Sequence, residues 1–161
     1  MASGDTLIIF TALHNEPPAS NYATLDLRNQ HPILNFDDTT SESAVFTGIM
    51  PSHYAGGGVE VKIHWSAVAT SGDVDWDAAF ERIGDQQLDV DADDFAAVNS
   101  ADDNAVPGTS GLVDIVSISF SDGEDMDSVA AGELFRIKIT RDVADTASGD
   151  VELHAVEIIE A

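Results

Sequence analysis

Apolar residues alternate with polar residues in several segments, and this pattern constrains the fold more than any other feature. It is clearest in VEVKIHWSA at 59–67, VDWDAAF at 74–80, IVSISF at 115–120 and ELFRIKITR at 133–141. In a β-strand, alternate side chains point to opposite faces, so such a segment buries one face and exposes the other. The sequence therefore predicts half-buried strands here. Shorter candidate strands are LIIFTA, ATLDLR, ILNF, AVFTGI, QLDV and VELHAVEII.

Turn-forming residues separate these segments, as in PSHYAGGG, NAVPGTSG and SDGED. Gly, Asn and Asp tolerate a positive φ, and Pro presets its own φ, so these clusters favour turns. Many short strands between such turns predict an all-β fold, an antiparallel, jelly-roll-like β-sandwich of roughly eight strands. Helix is expected only as one short turn in each of DDFAAVNSA and DMDSVAAGE. Because no linker divides the 161 residues, a single domain over 1–161 is predicted.

The chain is strongly acidic, with 30 Asp and Glu against 6 Lys and Arg and a formal net charge of −24. Nucleic acid and anionic lipid surfaces are excluded as partners, because binding phosphate requires clustered Lys and Arg. Such a charge destabilises a compact state through self-repulsion unless salt screens it. Since 43% of the residues are hydrophobic, the chain is nevertheless expected to fold. In this respect it resembles proteins from salt-loving organisms.

Six aspartates lie in DVDADDFAAVNSADDNAV at 89–106, with no basic residue among them. Asp89, Asp91 and Asp93 match the first three ligand positions of a calcium-binding hand. The loop glycine is replaced by Asp94, and the closing glutamate by Ser100, so the motif fails where its geometry is most demanding. We therefore predict a solvated loop and no metal, with an irregular cation site at Asp89, Asp91 and Asp93 as the weaker alternative.

Motifs of catalysis and cofactor binding are absent from the sequence. There is no G-x-S-x-G elbow, P-loop, dinucleotide fingerprint, HExxH or cysteine. The prediction is a non-enzymatic protein without a cofactor, although a hydrolase using two of the many carboxylates is left open. Trp65 and Trp76 are expected in the core because they lie on the apolar faces of strands. Pro51, His53 and Tyr54, in the loop MPSHYAGGG, are the candidate interaction residues, with Tyr54 expected to be exposed.

From residue 43 onward the chain resembles a family of small β-sandwich structural proteins of tailed viruses. The segments that carry the resemblance are AVFTGIMPSHYAGGGVEVKIHWSA, SGDVDWDAAFERI, DSVAAGELFRIKITRDVAD and GDVELHAVEI. The resemblance implies a head-decoration, turret or tail-appendage component and no catalytic residues. Residues 1–42 lie outside it and are expected to contribute a docking arm and the first strands.

The resulting hypothesis is a capsid surface decoration or turret protein adapted to high salt. Its expected partners are capsid or other virion proteins and two further copies of itself in a homotrimer. The trimer follows from the resemblance alone. MASGDTLIIF lacks a basic region and a long apolar run, so synthesis in the host cytoplasm without a signal peptide and a final location on the virion surface are expected. The alternative hypothesis is a carbohydrate- or receptor-binding module at a tail or turret tip.

Overall fold

The computed structural model describes residues 3–161, which form ten β-strands. These are β1 (Thr6–Thr11), β2 (Thr24–Arg28), β3 (His31–Phe36), β4 (Ser43–Ile49), β5 (Val59–Ala67), β6 (Asp73–Ile83), β7 (Asn99–Ala105), β8 (Asp114–Phe120), β9 (Leu134–Asp142) and β10 (Val151–Glu160). Two three-residue 3₁₀ turns, Ala12–His14 and Glu124–Met126, are the only helices in this part of the chain. No helix among the described residues has the length and apolar character needed to cross a membrane.

The strands form two antiparallel sheets that pack face to face. The six-stranded sheet has the order β2-β3-β10-β5-β8, with β1 pairing to β10 beyond the end of β3. The four-stranded sheet has the order β4-β9-β6-β7. This confirms the predicted all-β antiparallel sandwich, with ten strands where roughly eight were expected.

The core lies between the two sheets and is built from the predicted apolar faces. Trp65 and Trp76 are fully buried, and their rings meet edge to face with centroids 6.1 Å apart. Phe36 packs edge-on against Trp76 at 5.2 Å. Such aromatic contacts between β3, β5 and β6 tie the two sheets together, because edge-to-face pairs add attraction to the burial of apolar area. The prediction that both tryptophans belong to the core is confirmed.

The structure differs from the prediction in the loop between β6 and β7 and in β7 itself. QLDV at 87–90 is not a strand but part of the loop between β6 and β7. DDFAAVNSA forms no helical turn: its first part is irregular and its end enters β7. The polar strand β7, NSADDNA, was missed because half-exposed edge strands need no apolar face. Within DMDSVAAGE only the first residues are helical, since the 3₁₀ turn ends at Met126.

Candidate functional site

Charge is distributed very unevenly along the folded chain. Residues 1–36 contain three of the 30 acidic residues, Asp5, Glu16 and Asp26, and residues 37–161 contain the other 27. The first part supplies β1, β2 and β3, which lie together on one side of the six-stranded sheet. The fold therefore collects a charge-poor sequence segment into one region of an otherwise acidic surface.

This region exposes large apolar side chains. We call the surface that they form the N-terminal face. Its members are Leu13, Tyr22, Leu25 and Leu27, each between 49% and 67% exposed. Leu25 and Leu27 are on the same side of β2, the edge strand of its sheet. Leu13, Tyr22 and Leu25 line a groove of about 390 Å³ together with Ala12, Asn15, Pro17, Ala23, Thr24 and Leu34. Contiguous exposed apolar surface of this kind is typical of a protein-protein contact.

The loop beneath the N-terminal face is fixed by hydrogen bonds to the edge of the other sheet. The Val45 N–H donates to Asn15 Oδ1 at 3.0 Å, and the Glu16 N–H donates to the Val45 carbonyl at 2.8 Å. Tyr22 and Ser43 form an isolated parallel bridge. The loop thereby covers the exposed edge of β4 and holds the groove in shape, so the face is preformed.

A second depression, the polar groove, lies between the β2–β3 turn, the loop before β8 and His154 of β10. It measures about 410 Å³ and is lined by Arg28, Asn29, His31, Ser110, Gly111, Val113 and His154. Arg28 reaches it from the end of β2 and donates to Glu152 Oε2 at 2.7 Å, Ser110 Oγ at 2.9 Å and the Ala67 carbonyl at 3.3 Å. Gly111 has a φ of +83°, and a Cβ there would lie 2.7 Å from Arg28 Nη2. Glycine at 111 is thus needed for the guanidinium to occupy this position.

His154 projects from an irregularity in β10, where the register to β5 shifts between Leu153 and Ala155. Its Nε2 lies 2.8 Å from Ser66 Oγ, and the Ser66 hydroxyl donates to Glu152 Oε2 at 2.5 Å. Burial lowers the pKa of His154, and its neighbours Arg28, His31 and His64 act in the same direction against the opposing effect of Glu152. His154 is therefore neutral at pH 7. This is not the geometry of a catalytic triad, because the carboxylate holds the serine and not the imidazole.

The candidate interaction loop differs from the expectation at its central residue. Tyr54 is only 6% exposed; its hydroxyl donates to Met126 Sδ at 3.3 Å and accepts from the Gly58 N–H at 3.0 Å. Its exposure was predicted wrongly, because the sequence does not show that the loop folds back over the sandwich end. Pro51 is half-buried and His53 is exposed, and an interaction role for these two residues stays a prediction.

The aspartate-rich stretch divides into the loop between β6 and β7 and the strand β7 itself. Asp89 Oδ1 accepts from the Asp91 N–H at 3.0 Å, and Asp93 Oδ1 accepts from the Asp94 N–H at 3.0 Å, so these carboxylates stabilise local turns. Within residues 3–161 no group of three or more His, Asp or Glu side chains is arranged to hold a metal ion. That Asp89, Asp91 and Asp93 bind no ion stays a prediction.

Sequence reasoning missed how this loop is attached. The Phe95 ring lies against Lys138 Nζ, 4.6 Å from the ring centroid, and against the Arg136 guanidinium at 5.0 Å. The Ala96 N–H donates to the Phe80 carbonyl at 2.8 Å. A cation held over an aromatic ring is attracted by the ring's negative face. Through these contacts with β9, Phe95 attaches the loop between β6 and β7 to the outer face of the four-stranded sheet.

Carboxylates gather at the β7 side of the four-stranded sheet, a group we call the acidic edge: Asp75, Asp77, Asp102, Asp103 and Asp142. Burial raises the pKa of Asp75, and repulsion from Asp102 and Asp103 adds to it. Burial also raises the pKa of Asp77, with repulsion from Asp142 and Asp102. Both carboxyls also accept a hydrogen bond, from the Asp103 N–H and the Ser100 hydroxyl, which partly stabilises their charge.

Comparison with known proteins identifies the fold and no family. No protein-family model matches the sequence, and no curated protein matches it. A carbohydrate-binding module specific for non-crystalline cellulose, CBM28, aligns with 92% of this chain and 89% of its own length, at 12% identity and a TM-score of 0.54. The Bacillus thuringiensis insecticidal crystal protein Cry7Ca1 aligns with 95% of this chain at 11% identity and a TM-score of 0.51, and the chain spans 22% of that protein. The chain shares with both a jelly-roll-like β-sandwich fold.

Proposed function

We propose that this chain is a non-enzymatic structural protein of the outer surface of a virus particle. The observation that carries the proposal is the segregation of charge, with an apolar N-terminal face in a segment that contains three of the 30 acidic residues. Protein contacts form where charge is sparse and apolar side chains are exposed, whereas acidic surface stays hydrated and repels copies of itself. The N-terminal face lies within residues 1–42, the segment expected to contribute a docking arm, and this supports its assignment as the docking surface.

The occupant that we assign to the N-terminal face is a second copy of this chain, in a homotrimer as the resemblance implies. Two chains of charge −24 repel each other unless they meet where carboxylates are few. Leu13, Tyr22, Leu25 and Leu27 provide such a surface on every copy, and β2 contributes an open sheet edge that association would cover. High salt favours this assembly, because it screens the remaining acidic surface.

Light scattering in molar KCl tests the assembly, with the Leu25→Glu, Leu27→Glu double variant as the disrupting change. The expected result is a trimer for the native chain and a monomer for this variant. Val90→Glu is the control, since Val90 is an apolar residue of the aspartate loop that is more exposed than either leucine, and this variant stays trimeric. Antibody labelling of intact particles tests the location. A native monomer would refute the assembly, and particles whose outer surface lacks the chain would refute the structural role.

A second candidate function, carbohydrate or receptor binding at a tail or turret tip, is favoured by the polar groove. Arg28 and His154 are fixed there by hydrogen bonds before any ligand arrives. The likeness to a carbohydrate-binding module supports a fold that suits this role and no more. The N-terminal face and the polar groove use different residues, so one chain has room for both functions.

A further inference from the structure

We propose that the polar groove binds a neutral, hydroxyl-rich ligand, namely a sugar unit of a glycan, with His154 Nδ1 accepting a hydrogen bond from a ligand hydroxyl. The inference rests on the second candidate function and adds to it the chemical class of the ligand and the role of one residue. It does not involve the N-terminal face.

The hydrogen-bond chain determines which nitrogen of His154 carries the proton. Glu152 pairs with Arg28, so it is a carboxylate and only accepts hydrogen bonds. Ser66 has one hydroxyl proton and donates it to Glu152, so Ser66 Oγ accepts from His154 Nε2. A neutral imidazole protonated on Nε2 presents Nδ1 as an acceptor. Within residues 3–161 Nδ1 has no hydrogen-bond partner and is not sealed from solvent.

The environment keeps this acceptor available at neutral pH. Burial and the neighbouring cationic or titratable groups Arg28, His31 and His64 lower the pKa of His154, and Glu152 opposes them without prevailing. The ring is therefore neutral at pH 7 and becomes a double donor only in acid. A ligand hydroxyl that donates to Nδ1 loses its acceptor when the pH falls.

Charge decides which class of ligand the groove accepts. The Arg28 guanidinium is paired with Glu152 and also donates to Ser110 and a backbone carbonyl, so its charge is already balanced before any ligand binds. The net charge of −24 further repels anions. A neutral ligand with several hydroxyls suits Asn29, Ser110 and His154, which supply short-range donors and acceptors, while Val113 offers an apolar wall. The volume of about 410 Å³ falls within the usual range for small-molecule sites.

Nuclear magnetic resonance titration of the full chain in molar KCl tests the inference. The probes are neutral tetrasaccharides of glucose, xylose, mannose and galactose, and a galacturonate oligomer as the anionic comparison. At least one neutral probe is expected to shift signals around Arg28, Ser110 and His154, more strongly than the anionic probe. His154→Phe keeps a ring but removes the acceptor, so its affinity falls about tenfold, the equivalent of one lost hydrogen bond. Acidification from pH 7 to below the lowered pKa of His154 weakens binding to the native chain and not to this variant.

Two controls keep the outcomes separate. His14→Phe alters an exposed histidine outside the groove and leaves affinity unchanged. His154→Gln, whose amide oxygen can accept, restores part of the binding. If His154→Phe fails to fold, Ser110→Ala serves as the variant expected to lose affinity, and His154→Gln as the one expected to keep part of it. Neutral glycans that shift signals elsewhere, or bind His154→Phe equally well, overturn this inference and leave the second candidate function standing. If no probe binds, this inference and the carbohydrate-binding form of the second candidate function both fail, while docking through the N-terminal face is unaffected.

Discussion

The two sheets of the sandwich end in edges of opposite character. The β2 edge of the six-stranded sheet exposes Leu25 and Leu27, and the β7 edge of the four-stranded sheet carries Asp102 and Asp103. An exposed edge is a template for pairing with another chain, and charged side chains prevent that pairing. The comparison shows that the unpaired edge of β2 is available for association with another chain, whereas the carboxylates on β7 repel a second chain from that edge.

The two regions also differ in how deeply an arginine is buried. Arg141 is fully buried and donates to Asp145 at 2.8 and 3.1 Å, and to the carbonyls of Phe36, Ala147 and Gly149. At the other edge, the corresponding cation Arg28 remains partly exposed beside Glu152. Arg141 is therefore a fully enclosed cation with several hydrogen bonds, whereas Arg28 keeps contact with solvent.

The largest effect is expected from removing that internal charge. Arg141→Met leaves Asp145 and three carbonyls without their donor, and breaking a buried pair in this way costs about 3–5 kcal/mol of unfolding free energy. Arg28→Met is the matched variant at the other edge and costs less, because Glu152 retains Ser66. Urea denaturation in molar KCl measures both. Equal losses would show that the two edges do not differ in this respect, and replacing Asp145 together with Arg141 is expected to recover part of the loss.

The next largest effect concerns salt, since substitutions in the two regions are expected to change the salt dependence of the melting temperature differently. The melting temperature of the native chain is expected to rise strongly between about 0.1 M and molar KCl, because the Debye length shortens from about 10 Å to about 3 Å. Replacing Asp75, Asp77 and Asp102 with asparagine reduces this rise, since those carboxylates repel one another across the acidic edge. Asp26→Asn on β2 serves as the control and leaves the salt dependence unchanged. A melting temperature that is flat across the range for the native chain would refute the salt-adaptation hypothesis.

The smallest effect concerns single carboxyls and has a defined sign. The folded pKa of Asp77 is raised above its ordinary value of 3.8. The contribution of this carboxyl to the free energy of unfolding therefore declines as the pH rises from 3.8 through the folded pKa, and it stays lower at pH 7. Asp77→Asn is therefore more stable than the native chain at pH 7, and the difference disappears toward pH 4. Thermal melts across this pH range measure it.

Asp37 provides the opposite case. Hydrogen bonds from the Thr39 hydroxyl and N–H lower its pKa, so its stabilisation is present above pH 3.8 and is lost as the pH falls through the folded value. Asp37→Asn is expected to be less stable than the native chain at pH 7. Shifts of the same sign in the two variants would contradict the account of the acidic edge.

Several parts of this architecture were predictable because a short segment of sequence is enough to indicate them. Alternation in β5, β6 and β9 identified both the strands and their buried faces, since a strand reports its environment at every second residue. Turn-forming residues indicated where these strands end, because turn preferences also depend on a few neighbouring residues. By contrast β7 has no apolar face, and Phe95 is one apolar residue in an acidic loop, so neither carries a local signal of its position.

The sequence by itself determined the all-β class, the composition of the core and the excess of negative charge. Only the tertiary structure decided which side chains meet. Ser66 and His154 are separated by 88 positions, and they are joined by the pairing of β10 with β5 and the register shift next to His154. The N-terminal face likewise exists because β2 and β3 pair at a sheet edge and the adjacent loop binds β4. Such contacts depend on strand order and register, which arise from packing the whole chain and not from any segment read alone.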